Sequence, residues 1–387
     1  MNLSLAGLAL LSTLQAGPSE MRGVWVVRTA LATPESADAA VDGAARAGLN
    51  ALFVQVRGRG DALYRSALAP RSEVLRGQPD DFDPLARVLA RARARGLQVH
   101  AWVNVLLVGG FGVPLPAGHI AAAHPEWLMV PRSAAARALE TRPEDLAALI
   151  EARRDPDAEG LYLSPSAPEA AAHLEAVVRE LVGGYAVDGL HLDFIRYPAQ
   201  DYDYSRAALA SFRARRGGGG LLEEPEADPA GWAAHRASTL EALVGRLSRA
   251  ARAVRPEVVV SAAVVPEAAA MRTKGQAWPK WMAQGLIDAA CVMAYTPDTA
   301  TFRGQILALR ERLGPRAALW AGIGAYRLQQ ASVIEKVLAA RAVGASGVVL
   351  FSSDALAIAD LDRLRDEAFG PAPAASGSAP SAGSRQR

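Results

Sequence analysis

The segment Gly189-Leu-His-Leu-Asp193-Phe-Ile-Arg196 places a histidine and a carboxylate two residues apart. In a strand, side chains alternate, so His191 and Asp193 share one face. A carboxylate at the end of an inward-facing strand either performs acid–base chemistry or sits in an ion pair, because burial of an uncompensated charge is costly. Asp193 is the first candidate catalytic group, and an ion pair with Arg57 or Arg196 is the structural alternative. The same alternation puts Phe53, Gln55 and Arg57 on one face of residues 51–57, and His100, Trp102 and Asn104 on one face of 98–105. Tyr295 falls with Cys291 and Met293, and the next apolar run carries Trp320, with Tyr326 just beyond its end. Trp102, Tyr295, Trp320 and Tyr326 are expected to ring one mouth, where flat apolar rings with polar edges suit stacking on sugars. Arg57, Asn104, His191, Arg196 and Tyr295 are expected to orient such a substrate, with Asn104 and Arg57 bonding its hydroxyls.

Hydrolysis of a glycoside normally needs two carboxyl groups, one to protonate the leaving oxygen and one to act as nucleophile or to activate water. Glu267, after the fifth apolar run, is the first choice for the second group, and Asp298, after the sixth, is the next. Asp61 and Asp354 are weaker candidates, and any of the four could instead be a surface charge or a helix cap. The stereochemical course stays open on the sequence.

Eight short β-rich runs position these residues: 22–28, 51–57, 98–105, 189–194, 258–264, 290–296, 318–325 and 347–352. Helical periodicity follows them, as at 82–95, 169–182 and 332–343, which predicts a single (β/α)8 barrel, of the α/β class, over residues 21–370. An open doubly wound sheet is the competing architecture, but its glycine-rich phosphate turn is missing after Trp25-Val-Val-Arg28. Long insertions after strands three and four, 106–166 and 195–231, leave from the C-terminal face and are expected to wall a groove. The His124-Pro-Glu-Trp127 stretch is either part of that wall or a local turn. The glycine run 217–220 reads as a hinge, because no Gly-Lys-Ser/Thr follows it.

The 387 residues are 51% hydrophobic and 21% charged, which suits a globule with a sizeable core. A net charge of +2 and only three lysines, Lys274, Lys280 and Lys336, argue against a nucleic-acid partner. The single Cys291 excludes intramolecular disulfides and a cysteine zinc site. Residues 3–14 are almost wholly apolar, too short to span a membrane but suited to a secretory leader with a cut after Ala16; export to the periplasm or medium is expected. Residues 371–387 read as a disordered tail.

Arg22-Gly-Val-Trp25, the string NALFVQVRGRGDALY from Asn50, His100-Ala-Trp-Val-Asn104, DGLHLDFIRYP from Asp188, Trp278-Pro-Lys-Trp281 and Val292-Met-Ala-Tyr-Thr296 together resemble a bacterial glycosyl hydrolase-like family related to glycoside hydrolase family ten. The resemblance covers residues 21–369 and implies an exported glycosidase barrel acting on an envelope or extracellular oligo- or polysaccharide, without a cofactor or metal. Strand four is also similar to the Gly-Phe-Arg-Leu-Asp strand of α-amylase-type barrels, which implies a nucleophile position for Asp193. A chitinase-type acid would stand where this chain has Ile195, and the strand-seven glutamate of family-ten xylanases has no counterpart between Ala318 and Tyr326.

Other chemistries on this fold fit less well. A metal amidohydrolase needs His-x-His on strand one, and a Schiff-base aldolase needs a lysine on a barrel strand; neither is present. The rival from another class is a catalytically silent barrel that binds glycans. A second carboxylate across the groove favours the enzyme, whereas Asp193 paired to Arg57 or Arg196 favours the binder.

Overall fold

The computed structural model describes residues 20–216 and 221–370. The expected leader, the glycine hinge and the C-terminal tail lie outside the described residues. Eight parallel strands close into a barrel: β1 (Met21–Val26), β2 (Ala51–Arg57), β3 (Gln98–Asn104), β6 (Gly189–Asp193), β7 (Val259–Val264), β8 (Ala289–Met293), β9 (Ala318–Gly324) and β10 (Gly347–Phe351). They neighbour one another in chain order, and β10 pairs with β1 to complete the ring. The predicted (β/α)8 barrel is therefore the fold. Between β3 and β6 the chain adds a small antiparallel pair, β4 (Leu107–Gly109) and β5 (Leu161–Tyr162). No helix among the described residues is long and apolar enough to cross a membrane.

Several helices begin where the sequence supplies proline at the first helical position, as at Pro34, Pro84, Pro168 and Pro229. Proline costs nothing there, because that N–H has no intrahelical partner. Each helix turns an apolar stripe to the barrel, so Leu174, Val178 and Leu181 of Pro168–Gly184 join the same core as Val99, Ala101 and Val103 of β3. That outer core also takes Leu52, Val54, Leu190 and Leu192, the outward set expected from strand alternation. A second, inner core fills the barrel with Trp25, Phe53, Trp102, Cys291, Trp320 and Val349.

Aromatic rings inside a barrel need small residues opposite them. Phe53 stacks on His100 with centroids 4.7 Å apart, and a Cβ on Gly23 would come within 2.6 Å of the Phe53 ring. A Cβ on Gly189 would overlap the His100 imidazole itself. Among the described residues His100 has no hydrogen-bond partner for either ring nitrogen, and burial pulls its pKa down to about 4, so it packs as a neutral ring. Trp320 departs from the expected ring of aromatics. Its residue pairs with Gly347 at the start of β10, and its side chain lines, with His100 and Gln98, a cavity of about 1010 Å³ at the opposite, N-terminal mouth.

Alternation fails once on β2. The ladder pairs Gln55 with Trp102 but Arg57 with Val103, so the register shifts between them. Arg57 is thereby swung out of the inward row and is fully buried.

Gly189→Ala is expected to cost about 1–3 kcal/mol, the range for overpacking a tight core. Urea denaturation at fixed pH measures it, and an unchanged midpoint would mean that the His100 ring gives way without strain.

Candidate active site

The C-terminal mouth holds a cleft of about 530 Å³. Trp25, Trp102, Tyr295 and Phe351 form its apolar walls; Asp193, Glu159, Asn104, Gln55, Arg28, Arg59 and Arg196 supply its polar groups. Asp193 and Asn104 lie side by side because β6 and β3 pair at those two residues.

Asp193 is 8% exposed and opens into this cleft. Its Oδ2 accepts the Trp102 indole N–H at 3.0 Å, and its Oδ1 accepts the backbone N–H of Phe194 at 2.6 Å. Phe194 makes that second bond from a left-handed conformation, φ 48°, which costs a non-glycine residue about 1–3 kcal/mol. Among the described residues Asp193 has no ion-pair partner: Arg57 bonds backbone carbonyls and Arg196 pairs elsewhere. Burial therefore dominates and pushes the carboxyl up to about 6, against the Phe194 N–H, the Arg196 charge and the Trp102 bond, which all pull it down.

The second carboxylate of the cleft is Glu159, which the sequence analysis did not single out. Glu159 precedes β5 in the first insertion, and the β4–β5 pairing folds it back over the mouth. Arg196 donates to Glu159 Oε1 at 2.6 Å and Tyr162 O–H to Oε2 at 2.5 Å. Burial raises the Glu159 carboxyl, but the Arg196 guanidinium and the Tyr162 hydroxyl outweigh it and hold the group below the ordinary range. Arg196 also lies 4.7 Å above the Phe194 ring, which anchors it from the other side. The only cue to Glu159 in the sequence is its place three residues before Tyr162 in an insertion already expected to wall the groove.

Arg28 and Arg59 were also missed. Both line the cleft, and neither guanidinium has an ion-pair or hydrogen-bond partner among the described residues. Burial, then the Arg59 charge, draws Arg28 below its ordinary value. Arg59 is held by its backbone: Asp61 accepts its N–H at 2.8 Å, and His119 takes its carbonyl at 2.7 Å. Asp61, itself bonded by Ser72 at 2.5 Å, thus shapes the loop under Arg59.

The remaining expectations divide. Trp102, Asn104, Arg196 and Tyr295 come together in the cleft; Tyr326, 48% exposed, stands at its rim, edge-on to Tyr295 at 6.4 Å. His191 does not reach it. One residue pair deeper in the barrel, it accepts the Trp25 indole N–H on Nε2 at 3.1 Å. An indole only donates, so the imidazole proton is on Nδ1 and goes to Ser261 Oγ at 2.9 Å. Burial, then the His100 ring, holds His191 well below its ordinary pKa, so it is a neutral prop under Trp25. Arg57 is displaced by the register shift and bonds the carbonyls of Asn104 and Val105. Glu267 and Asp298 do not line the cleft either: Glu267 is exposed and accepts from Gln305 at 2.9 Å, while Asp298 caps the next helix by accepting the Thr301 N–H at 2.6 Å. Asp354 is likewise exposed, bonded to Ser352. The His124–Trp127 pair is stacked at 3.9 Å, away from the cleft, between the insertions.

Residues 20–340 match the sequence profile of the family described as glycosyl hydrolase-like 10. The chain belongs to that family. Relatives include the glycosyl hydrolase DigH of Escherichia coli strain K12, 27% identical over 318 residues, which are 75% of this chain and 65% of DigH. The glycosyl hydrolase YngK of Bacillus subtilis is 28% identical over 164 residues, 41% of this chain and 27% of YngK. The chain thus spans less than two thirds of either relative. Among solved structures, the PgaB (BpsB) glycoside hydrolase domain of Bordetella bronchiseptica superposes with a TM-score of 0.69 at 18% identity, covering 91% of this chain and 99% of that one. The α-L-fucosidase isoenzyme 2 of Paenibacillus thiaminolyticus gives 0.63 at 16% identity, over 90% of this chain and 49% of its own. At such identities these two share the fold.

The raised Asp193 carboxyl has a consequence for stability. Unfolded, the group titrates near the ordinary carboxylate value of about 3.9; folded, it does so at about 6. The native state therefore binds the extra proton between these values, and stability falls as pH rises through that window, by an amount on the order of 2–3 kcal/mol. Chemical denaturation from pH 4 to 7 is expected to show this decline in the wild type and to lack it in Asp193→Asn; equal slopes would mean that Asp193 is solvated.

Proposed function

We propose that the protein is an exported glycoside hydrolase of a bacterial envelope or extracellular glycan, with Asp193 as the proton donor and Glu159 as the ionised carboxylate across the cleft. One observation carries this: the cleft holds two carboxyl groups whose surroundings push them in opposite directions, burial raising Asp193 and Arg196 with Tyr162 holding Glu159 down. Groups separated in this way can serve as acid and base at one pH. An acid that titrates at about 6 keeps a protonated fraction near neutrality and passes its proton to the glycosidic oxygen. An ionised Glu159 opposes the positive charge that develops on the sugar, or draws a proton from water.

The walls support a glycan. Trp25, Trp102, Tyr295 and Phe351 offer apolar faces, and Asn104 and Gln55 offer amides to hydroxyl groups. Arg28 and Arg59 add guanidinium donors to the cleft wall, with Asp61 the carboxylate that acts on Arg28, and such donors suit the hydroxyl or acidic groups of a sugar. Export rests on the apolar run at residues 3–14. Against a silent binding barrel stands the state of Asp193, which has none of the ion pairs that a purely structural carboxylate would need.

The test is release of new reducing ends from a panel of glycans that includes peptidoglycan strands with and without stem peptides. Asp193→Asn is expected to lower kcat by about 10²–10⁴-fold, with the folded state intact by circular dichroism. A cleft that retains labelled glycan but never cuts it would instead be a binding site. The rate is also expected to fall as pH rises above about 6, where Asp193 loses its proton, and to fall again on the acid side as Glu159 gains one. Glu159→Gln should remove the acid-side limb together with most of the activity; a full-rate variant would take Glu159 out of the chemistry.

A further inference from the structure

Arg57 is 0% exposed, yet it forms no ion pair among the described residues. Its Nη1 donates to the Asn104 carbonyl at 2.6 Å and to the Val105 carbonyl at 3.4 Å, while Nε and Nη2 have no partner. A guanidinium buried on these terms is expensive, and an apolar side chain of similar length would fill the space at lower cost. The titratable groups that face it are Asp61 and Tyr64 from the loop after β2, His119 from the first insertion and His173 from helix Pro168–Gly184. None of them is hydrogen-bonded to it. Its bonds go instead to the two residues at which β3 ends.

Those residues lead directly to the acid. Val105 N–H donates to the Asp193 carbonyl at 2.8 Å, and Leu106 N–H to the Phe194 carbonyl at 3.4 Å. Together they hold the backbone of the Asp193–Phe194 turn, where Phe194 sits at φ 48°. The Asp193 carbonyl and the Phe194 N–H belong to one peptide plane, so holding the carbonyl also holds the N–H that reaches Asp193 Oδ1 at 2.6 Å. A left-handed phenylalanine persists only while its surroundings over-determine it. We infer that Arg57 is a positioning residue: by gripping the Asn104 and Val105 carbonyls it fixes the end of β3, and through it the turn that presents the Asp193 carboxyl to the cleft. This rests on reading Asp193 as the proton donor.

If the grip is lost, the β3 end relaxes, the Asp193–Phe194 peptide plane is free to turn, and the Phe194 N–H to Oδ1 bond lengthens. That bond favours the ionised carboxyl, so its loss moves Asp193 upward in pH. The groups facing Asp193 in this titration are Arg196 beyond β6, Glu159 and Tyr162 from the first insertion, Trp102 on β3, and Cys291 and Tyr295 at β8.

The experiment compares full-length wild type, Arg57→Met and Arg57→Lys. Two readouts are taken: kinetics against pH on the best-cleaved glycan, and ¹³C NMR titration of the Asp193 carboxyl, assigned by its disappearance in Asp193→Asn. Arg57→Met is expected to fold, to lower kcat by about tenfold to a hundredfold with KM little changed, and to move the Asp193 midpoint up from about 6. Arg57→Lys, which keeps the charge but not the fork, should recover only part of both. An unmoved midpoint in folded variants overturns the inference, as does a loss confined to KM, which would make Arg57 a glycan contact. Two variants that do not fold overturn it as well, because Arg57 would then hold the barrel and not the acid. Should the wild type cut no glycan, the proposed function fails, and the NMR midpoint still decides the role of Arg57.

Discussion

The constraint on which the site depends is the burial of one carboxyl group without a counter-cation. Water would solvate Asp193 better than a tryptophan indole and one backbone amide can, and the difference is what lifts its pKa towards neutrality. Had Arg196 turned to Asp193 and not to Glu159, the carboxyl would be an ordinary structural anion. The 2.6 Å pair between Arg196 and Glu159 therefore has two effects: it keeps one acid ionised, and it withholds the nearest cation from the other. A single arginine thus helps to set the two carboxyl groups apart in acidity, with burial as the larger cause at Asp193.

Around that arrangement the barrel is built as a support for rings. Its interior carries Trp25, Phe53, His100, His191 and Trp320 where aliphatic layers would be ordinary, and Gly23 and Gly189 make room for Phe53 and His100. The rings lock one another: Trp25 rests on His191, His191 on Ser261, and Phe53 is sandwiched by His100 and meets His191 edge-on at 4.8 Å. A wall of the cleft is thus fixed from below by neutral histidines that carry no charge into the chemistry. The two insertions complete the mouth from above, and the short β4–β5 ladder carries Glu159 back to the cleft from some 55 residues along the chain beyond β3.

Much of this was legible before any coordinates. Apolar runs bounded by turn residues marked all eight strands to within three residues, because in a parallel barrel each strand is covered on its outer face by helices and must be continuously apolar there. Alternation then separated the outer core from the inner one correctly for β3 and β6, and brought Trp102, Asn104 and Asp193 to one face. It does not report depth. His191 has the same facing as Asp193 but sits one pair nearer the floor, where a side chain meets other rings and not substrate. Nor does it foresee a register shift, which moved Arg57, or distinguish a loop acid aimed at a cleft from one that caps a helix, which is what Asp298 does. Glu159 was hidden for the most physical reason: its position is set by a tertiary fold-back of a long insertion, and nothing local in Asp157-Ala-Glu159-Gly-Leu-Tyr162 encodes where that loop lands.

The distinction between a hydrolase and a glycan-binding barrel turns on cost. A protein that only holds sugars gains nothing from an unpaired buried acid, since hydroxyl groups are recognised as well by amides and by paired charges. Stability would favour asparagine or leucine at position 193, or an arginine within reach of its carboxylate. The chain instead keeps the acid, supplies it with two donors that are too few to offset its burial, and follows it with a left-handed Phe194. Both features are unfavourable to folding, and both lie at the edge of a cleft that also contains an ionised carboxylate. Destabilising features concentrated where a substrate would sit support the proposed proton transfer, because a group poised to give up its proton near neutrality has to be held in surroundings that disfavour its charge.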